Sequence, residues 1–185
     1  MIVQFLAEPI DYDGTAIHSL WAYRRFGLQG DSLLAFVGGC DIPFDHMVDL
    51  EDVRRRSRIW SPRMLHFIEE RFDTDLEKAV LRQRLLASLV RDEFERLAGR
   101  RIDRRGDDLF DGAKKLSISI AAATPVSTKI HFGINVVRAD GLDVPTEGLE
   151  AYGVDPRGLT EAVLKRYADE MAGVFDARTR ARGVP

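Results

Sequence analysis

The chain has 185 residues, of which 45% are hydrophobic and 31% charged, and its formal net charge is −3 at pH 7. This length and composition predict one globular domain over residues 1–185, and the slightly acidic balance argues against a nucleic-acid partner. The single cysteine, Cys40, excludes an internal disulfide. No apolar run reaches the roughly 18 residues that span a bilayer, and the acidic N-terminal stretch does not resemble a signal peptide, so we expect a cytoplasmic protein.

The first third of the chain is predicted to alternate strands with a helix. Periodicity and capping residues indicate three elements in chain order: a strand over Ile2–Leu6, a helix over Thr15–Phe26 capped by Thr15, and a strand over Ser32–Val37 closed by Gly38 and Gly39. The following stretch, residues 40–58, is rich in aspartate and arginine. We expect it to be loop with about one turn of helix.

The middle of the chain contains one ambiguous segment and one long helix. Ser61 and Pro62 offer a cap and a first-turn proline for a helix that reaches about Phe72, but Met64–Ile68 fits a strand equally well. Asp75–Ala98 is predicted to be a long amphipathic helix. Its apolar stripe contains Leu86, Val90, Phe94 and Leu97.

The second half is predicted to hold two paired strands and a final helix. The strands Lys115–Ala121 and Thr128–Val137 alternate in polarity and should be antiparallel neighbours, with the helix Asp75–Ala98 packed across their sheet. A last helix over Leu159–Phe175 has an apolar face that comprises Leu159, Val163, Tyr167, Met171 and Val174. Because no βαβ rhythm repeats, we predict an α+β fold with a largely antiparallel mixed sheet and flanking helices.

Lys115 is the first candidate for chemistry. It follows a predicted Asp111-Gly112 turn at the start of a strand, where a lysine is held firmly enough to stabilise charge that builds up in a transition state. The two-residue period of a strand places Ser117 and Ser119 on the same face, so the three residues form a polar row. A wholly solvent-facing strand explains this row equally well.

Cys40 and the acidic loop after it are weaker candidates. Cys40 is either an acyl-accepting thiol or a small buried core residue, and the second interpretation is favoured. The loop contains the oxygen and imidazole groups of Asp41, Asp45, His46 and Asp49. Their spacing fits no known metal motif, so we predict no metal site.

Two histidines lie within predicted apolar segments. His66 follows Met64 and Leu65, and a histidine in such surroundings is interpreted as a core residue. His131 lies between Ile130 and Phe132 on a predicted strand. Because side chains alternate along a strand, His131 should point to the opposite face, towards a pocket or solvent.

The stretch from Gly106 to Val137 joins an Asp-Asp-Leu, an Asp-Gly turn, a lysine pair and two strands, the second ending in Ile-Asn-Val. This order resembles the core of the biotin and lipoate protein ligases, with Asp108 and Lys115 at the family's aspartate and lysine positions. Ile118 stands where that family has a glycine. The resemblance implies a ligase-like fold, similar to that of class II synthetases, with Lys115 and Asp108 as catalytic residues. The candidate substrate-binding residues are Ser117, Ser119, Gly38, Gly39, His131 and Asn135.

Longer motifs extend over nearly the whole chain. They are DYDG (11–14), SLWAY (19–23), FGLQGDS (26–32), HMVDLEDV (46–53), MLHFIEE (64–70) and LRQRLL (81–86), followed by the Lys115 hairpin. In these motifs the chain is similar to a prokaryotic family known as domain of unknown function 366. That resemblance implies the same ligase-like fold and no established activity.

Two functions remain open from the sequence. The first is an enzyme that transfers an acyl group or cofactor, or activates a carboxylate, with ATP as the cofactor that the ligase resemblance implies. Gly38, Gly39 and the arginines at 54–58 do not form the continuous Arg- and Gly-rich loop of those ligases. The second is a non-catalytic relative that binds a small metabolite or uses its sheet to form a homo-oligomer. We expect neither a membrane nor a nucleic acid as partner.

Overall fold

A computed structural model describes residues 1–184 and consists of two sheets and four helices. The strands are β1 (Ile2–Phe5), β2 (Ser32–Asp41), β3 (Trp60–Arg71), β4 (Asp103–Arg105), β5 (Asp108–Asp111), β6 (Lys114–Lys115), β7 (Ser117–Ala123) and β8 (Thr128–Asn135). The helices are α1 (Trp21–Phe26), α2 (Leu50–Arg55), α3 (Leu76–Ala98) and α4 (Pro156–Arg180). Within residues 1–184, none of the helices combines the length and the apolar character that a membrane span requires.

The larger sheet has five strands in the order β1-β2-β3-β8-β7. The β1–β2 pair is parallel and the other three pairs are antiparallel, so the sheet is mixed, as predicted. The predicted pairing of the last two strands is confirmed, with Ser119 opposite Phe132. The remaining strands form a small antiparallel sheet in the order β4-β5-β6 beside it.

Helices α3 and α4 cover one face of the large sheet. Asp75 caps α3 by accepting a hydrogen bond from the Lys78 N–H at 3.1 Å, and Leu86, Val90 and Phe94 are fully buried in the core. These residues pack with Leu65 and Phe132 from the sheet, among others. The prediction of α3 across the sheet is confirmed, although Leu97 in its last turn is 40% exposed.

The central strands decide one open choice and correct one prediction. The segment from Ser61 to Phe72 contains β3, not a helix, so its strand interpretation is correct. It is a central strand with both faces covered, so its residues from Met64 to Glu70 are all buried and lack the alternation that marks a half-buried strand. Strand β2 also continues through Gly38 and Gly39 to Asp41.

The helices at the two ends of the chain differ from their predicted bounds. The predicted Thr15–Phe26 helix is interrupted at Leu20, whose φ of 65° is left-handed and whose N–H donates to Glu70 Oε1 at 2.7 Å. The buried carboxylate of Glu70 therefore stabilises the interruption of the helix at Leu20. The last helix extends to Arg180, and Val174 is 54% exposed because the helix extends beyond the part that packs on the sheet.

Short segments cover the opposite face of the large sheet. Tyr12 and Ile10 from the first loop pack there against Phe36 and Ile68 of the sheet, in a second and smaller core. The connection from β2 to β3 also lies on this side, and its helix α2 buries none of its residues. This face is therefore covered less completely than the helix face, and it holds the candidate site.

Candidate functional site

A cavity of about 610 Å³ lies between the sheet and the segments that cover this face. Its walls come from Met64 and from five segments: residues 12–17, 42–60, 107–120, 131–135 and 141–146. A volume of this size is typical of small-molecule sites in proteins. The cavity therefore brings together parts of the chain that lie far apart in the sequence.

Lys115 forms one wall of the cavity and is paired with Asp108. The turn at Gly112, with φ of 61°, folds β5 against β6, so Lys115 Nζ lies 2.7 Å from Asp108 Oδ2. The backbone of Lys115 is fixed on its other side as well, because its N–H donates to the Pro145 carbonyl at 2.8 Å. The two charged side chains are 27% and 25% exposed, so the pair is half-buried at the cavity wall.

Other carboxylates surround this lysine. Burial raises the pKa of Asp108, the Lys115 charge opposes that rise, and the charges of Asp107 and Asp52 add to it. Burial also raises the pKa of Asp52, which lines the cavity from α2. The positive charge of Lys115 is thus already balanced by acidic groups, and an anionic ligand has to compete with Asp108 for it.

Ser117 and Ser119 lie in the cavity wall, but their hydroxyls are bonded to the protein. Ser117 Oγ accepts from the Leu109 N–H at 2.8 Å. Ser119 Oγ accepts from Gln83 Nε2 at 2.8 Å and donates to the His131 carbonyl at 3.0 Å. Ser117 is almost fully buried, so the solvent-facing interpretation of this strand is wrong. The serines brace β7 against α3 and β5, and both line the cavity together with Lys115.

Gly38 and Gly39 are absent from the cavity wall. A Cβ at Gly38 would lie 1.9 Å from the Ile10 carbonyl oxygen, and the Gly39 N–H donates to Asp11 Oδ1 at 2.8 Å. The glycines therefore let the Ile10–Tyr12 segment lie directly against β2. Strand β2 therefore does not end before Gly38 as predicted. The position of the two glycines also does not agree with a role in substrate contact.

Asn135 and His131 line the cavity from the same strand. The Asn135 backbone N–H donates to the Leu116 carbonyl at 2.9 Å, and the residue lines the cavity although it is buried. His131 stacks on Tyr12 with ring centroids 3.8 Å apart, and its Nε2 lies 3.0 Å from Nδ1 of the buried His66. Burial lowers the pKa of His66 to about 3 and that of His131 well below its usual value, so both rings are neutral near pH 7.

Several lining residues were missed by the sequence analysis. Tyr12 lies within the DYDG motif, which was noted without a role, and Trp60 lies between the predicted loop over residues 40–58 and the segment that begins at Ser61. Arg55, Arg56 and Arg58 also line the cavity, from the connection between β2 and β3. The sequence signal for these three residues was the arginine cluster itself. The spacing of the arginines could not predict that the cluster lies against the sheet.

The acidic loop contributes His46 and Asp49 to the cavity wall, whereas Cys40 does not line the cavity. Cys40 is buried, and burial raises the pKa of its thiol to about 12, which opposes a role as nucleophile. Asp49 caps α2 by accepting from the Glu51 N–H at 2.8 Å, and His46 Nδ1 lies 2.8 Å from the Asp13 carbonyl oxygen. Within residues 1–184, no three histidine, cysteine or acidic side chains converge as a metal site would require.

The fold is that of the biotin and lipoate protein ligases. Biotin protein ligase from Aquifex aeolicus, in complex with biotin and ATP, matches 90% of this chain and 69% of its own with a TM-score of 0.62. The sequence identity is 15%, which supports the fold alone.

The chain belongs to the family described as domain of unknown function DUF366, which matches residues 1–182. It is 36% identical over 177 residues to an uncharacterized protein of Methanocaldococcus jannaschii, covering 92% of this chain and 80% of that protein. A structure described as a protein of unknown function from Pyrococcus horikoshi is 40% identical, with a TM-score of 0.93 over 99% of this chain and 100% of that one. Both resemblances predicted from the sequence are confirmed.

Proposed function

We propose that this protein binds a small carboxylate-bearing metabolite in the cavity and activates or transfers its acyl group. Lys115 is the electrostatic stabiliser, and Asp108 holds its ammonium group in place. The observation that carries the proposal is the Lys115–Asp108 pair at 2.7 Å in the wall of a 610 Å³ cavity. A charge fixed in this way stabilises developing negative charge without reorganisation during the reaction.

Two features support Lys115 over its neighbour Lys114. The Lys115 backbone is held both by β5 and by the Pro145 carbonyl, whereas its side chain faces the cavity. Lys114 Nζ pairs with Glu147 at 2.7 Å, outside this cavity. The two adjacent lysines therefore offer a matched comparison of the same residue type inside and outside the site.

ATP is the cofactor that the ligase-like relatives suggest, and the glycines do not fit its usual phosphate cradle. Such a cradle uses successive bare backbone N–H groups, but Gly38 and Gly39 contact Ile10 and Asp11 instead. Arg55, Arg56 and Arg58 line the cavity, but Arg55 and Arg58 pair with Glu51 and Asp41. The arrangement favours transfer of an acyl group that arrives as a thioester. A nucleophile of the acceptor adds to the thioester carbonyl, Lys115 stabilises the oxyanion that forms, and the thiol leaves as the carbonyl is restored.

A non-catalytic metabolite-binding protein is the second candidate. It is favoured by the balanced charge at Lys115, because Asp108 already pairs with its amine in the unliganded cavity. In this case Lys115 contributes to ground-state affinity only. We further propose a cytoplasmic location, since the single thiol is free and buried, and homo-oligomer formation through β7, which is an edge strand of the sheet.

Two assays test whether the protein is an enzyme. One measures pyrophosphate exchange with ATP and the other measures acyl transfer from thioesters, each across a panel of carboxylic acids. If the protein is catalytic, Lys115→Ala should reduce the rate by on the order of 10²–10³, because it removes a charge that acts mainly in the transition state. Lys114→Ala is the matched control and should retain the wild-type rate. If the wild type has neither activity but a carboxylic acid raises its melting temperature, the second candidate replaces the first.

A further inference from the structure

We infer that the protein associates with a second copy of itself through one end of the large sheet, where α3 begins and α4 ends. This surface is independent of the proposed function, because it lies away from the Lys115 end of the cavity. It also differs from the strand edge at β7, since it is formed by side chains of two helices and of the turns beside them.

The register of the strands defines this end of the sheet. Opposite one another on neighbouring strands lie Ile2, Ser32, Glu70 and Lys129. Asn135, in the cavity wall, follows Lys129 by six residues on β8, which corresponds to about 20 Å along the strand. We call the end marked by this row of residues the distal end, because Asn135 and the cavity wall around it lie at the other end.

The distal end carries large apolar side chains that are exposed. Single residues of this kind are common on protein surfaces, but here six occur at one end of one sheet. They lie at the start of β1, after β3, at the start of α3, in the β7–β8 turn and near the end of α4: Met1, Phe72, Leu76, Val126, Val174 and Phe175. Their exposed fractions lie between 41% and 60%, so no part of residues 1–184 covers them.

Helix α4 extends beyond the body of the protein at this end. Its first turn lies near the other end of β1, where the Arg157 guanidinium is 5.9 Å from the centre of the Phe5 ring. Further along the helix, the Tyr167 hydroxyl donates to Glu69 at 2.6 Å, close to the distal end. The helix therefore runs towards the distal end. Met171 is its last buried residue, and the exposed remainder of the helix is about 14 Å long.

The apolar stripe of α4 continues along this exposed extension. Val174 and Phe175 follow Met171 at the three- and four-residue spacing that keeps side chains on one face of a helix. The stripe is buried as far as Met171 and exposed beyond it. In proteins, most of the stability of a helix comes from packing of its apolar face and not from helix propensity. The stripe therefore indicates a packing partner for the extension.

The charges at the distal end identify this partner as a second copy of the chain. The last turn of α4 carries Arg178 and Arg180. Helix α3 begins with its cap Asp75 and has Glu77 in its first turn. Opposite charges thus lie on two helices of the same surface, each beside exposed apolar side chains. A two-fold axis at this end places the α4 extension of each copy against the α3 start of the other, so one complementary contact forms twice.

The basic turn of α4 projects past the start of α3 within one chain. Arg82 of α3 and Tyr167 of α4 both donate to Glu69, so the two helices are at the same level there. From that level α3 extends back to Leu76, about 9 Å, and α4 extends forward to Arg178, about 16 Å. The Arg178 turn is therefore about 7 Å further out and accessible to another molecule.

Sedimentation equilibrium of the full-length protein tests the association. We expect a dimer at micromolar concentrations. Val174→Glu/Phe175→Glu should weaken it about 30-fold or more, because charge enters the apolar centre of the contact. Both positions are exposed, so the fold should be retained, which circular dichroism checks. Leu50→Glu is the matched control, since Leu50 is 75% exposed on α2, and this variant should remain a dimer.

Two results of this experiment would overturn the inference. A wild type that stays monomeric would show that the distal end has no second copy as its partner. A dimer that survives the double substitution would place the interface elsewhere, for example at the edge of β7.

Mixing two charge variants tests the pairing of the helices. Glu77→Arg alone, and Arg178→Glu/Arg180→Glu alone, each put like charges at both contacts of a homodimer and should weaken it. In a mixture, one chain of each kind forms one contact with reversed charges and one with the original charges. We therefore expect native mass spectrometry of the mixture to show mainly the heterodimer. A mixture with no more heterodimer than random pairing gives would contradict this arrangement of the helices.

Discussion

The two faces of the large sheet differ in how completely their buried polar groups are hydrogen-bonded. On the helix face, Glu69 is fully buried, yet Arg82 Nε donates to it at 3.1 Å and Tyr167 Oη donates to it at 2.6 Å. On the cavity face, Lys129 Nζ donates to the buried Glu70 at 3.0 Å, but Ser32 Oγ and His66 Nε2 are buried without partners within residues 1–184. A paired network contributes to a unique packed structure, whereas unpaired buried groups are retained at a cost. The unpaired groups lie on the face of the sheet that holds the cavity.

The largest expected effect is on the helix face. Arg82→Ala leaves the Glu69 carboxylate buried without its cation, and should lower the free energy of unfolding by about 3–5 kcal/mol. Urea denaturation measures this change. The control is Arg157→Ala, which breaks the exposed pair with Glu161 and should cost less than about 0.5 kcal/mol. Similar losses in the two variants would contradict the view that the buried network stabilises the fold.

The histidine pair should make stability depend on pH. The pKa of both rings is lowered in the folded state, so their contribution is complete above about pH 6.5 and is lost as the pH falls towards the folded pKa, which is about 3 for His66. Each histidine contributes a slope of up to about 1.4 kcal/mol per pH unit. The raised pKa of the buried Glu69 acts in the opposite direction, so the total slope is smaller.

The midpoint of urea denaturation, measured between pH 7 and pH 5, isolates the contribution of the two histidines to the pH dependence of stability. We expect His66→Phe/His131→Phe to flatten the pH dependence, even if its stability at pH 7 is lower. The exposed His18→Gln variant controls for the loss of a histidine as such. An unchanged slope in the double variant would mean that the two rings are not neutral in the fold.

Gly133→Ala should have a smaller effect, confined to the cavity face. The new Cβ would lie 2.3 Å from Met64 Sδ, at the flexible end of that side chain, so the neighbours must move. Overpacking of this kind costs about 1–3 kcal/mol. A substitution in open space, Gly173→Ala in α4, should be neutral or stabilise by up to about 1 kcal/mol. A neutral Gly133→Ala would show that the histidine group is loosely packed.

The helix face was easier to predict from the sequence than the cavity face. Helix α3 has a cap at Asp75 and an apolar stripe at helical spacing, and both are local signals. Strand β3 was ambiguous because burial on both faces removes the alternation that marks a strand. The break at Leu20 depends on Glu70, which is fifty residues away, so no local pattern could have indicated it.

The candidate site was also predicted only in part, because local patterns do not indicate long-range contacts. Lys115 and Asp108 are close in the sequence and are joined by a turn, so their pairing follows from the hairpin. Ser117 and Ser119 share a face as predicted, but α3 and β5 occupy their hydroxyls. Gly38 and Gly39 suggested a ligand contact, whereas the Ile10–Tyr12 segment uses the space that they leave. For Ser119, Gly38 and Gly39, a long-range partner determined the role of the residue.

Mass spectrometry of small molecules retained on the natively purified protein is the most direct test of the central claim, that the Lys115 end of the cavity binds a carboxylate. Wild type, Lys115→Ala and Lys114→Ala would be purified in parallel and denatured, and the released compounds compared. We predict that a carboxylic acid is recovered from the wild type and from Lys114→Ala, and that Lys115→Ala retains little of it. Recovery of the same acid from all three proteins, or of no carboxylic acid from any, would contradict the account.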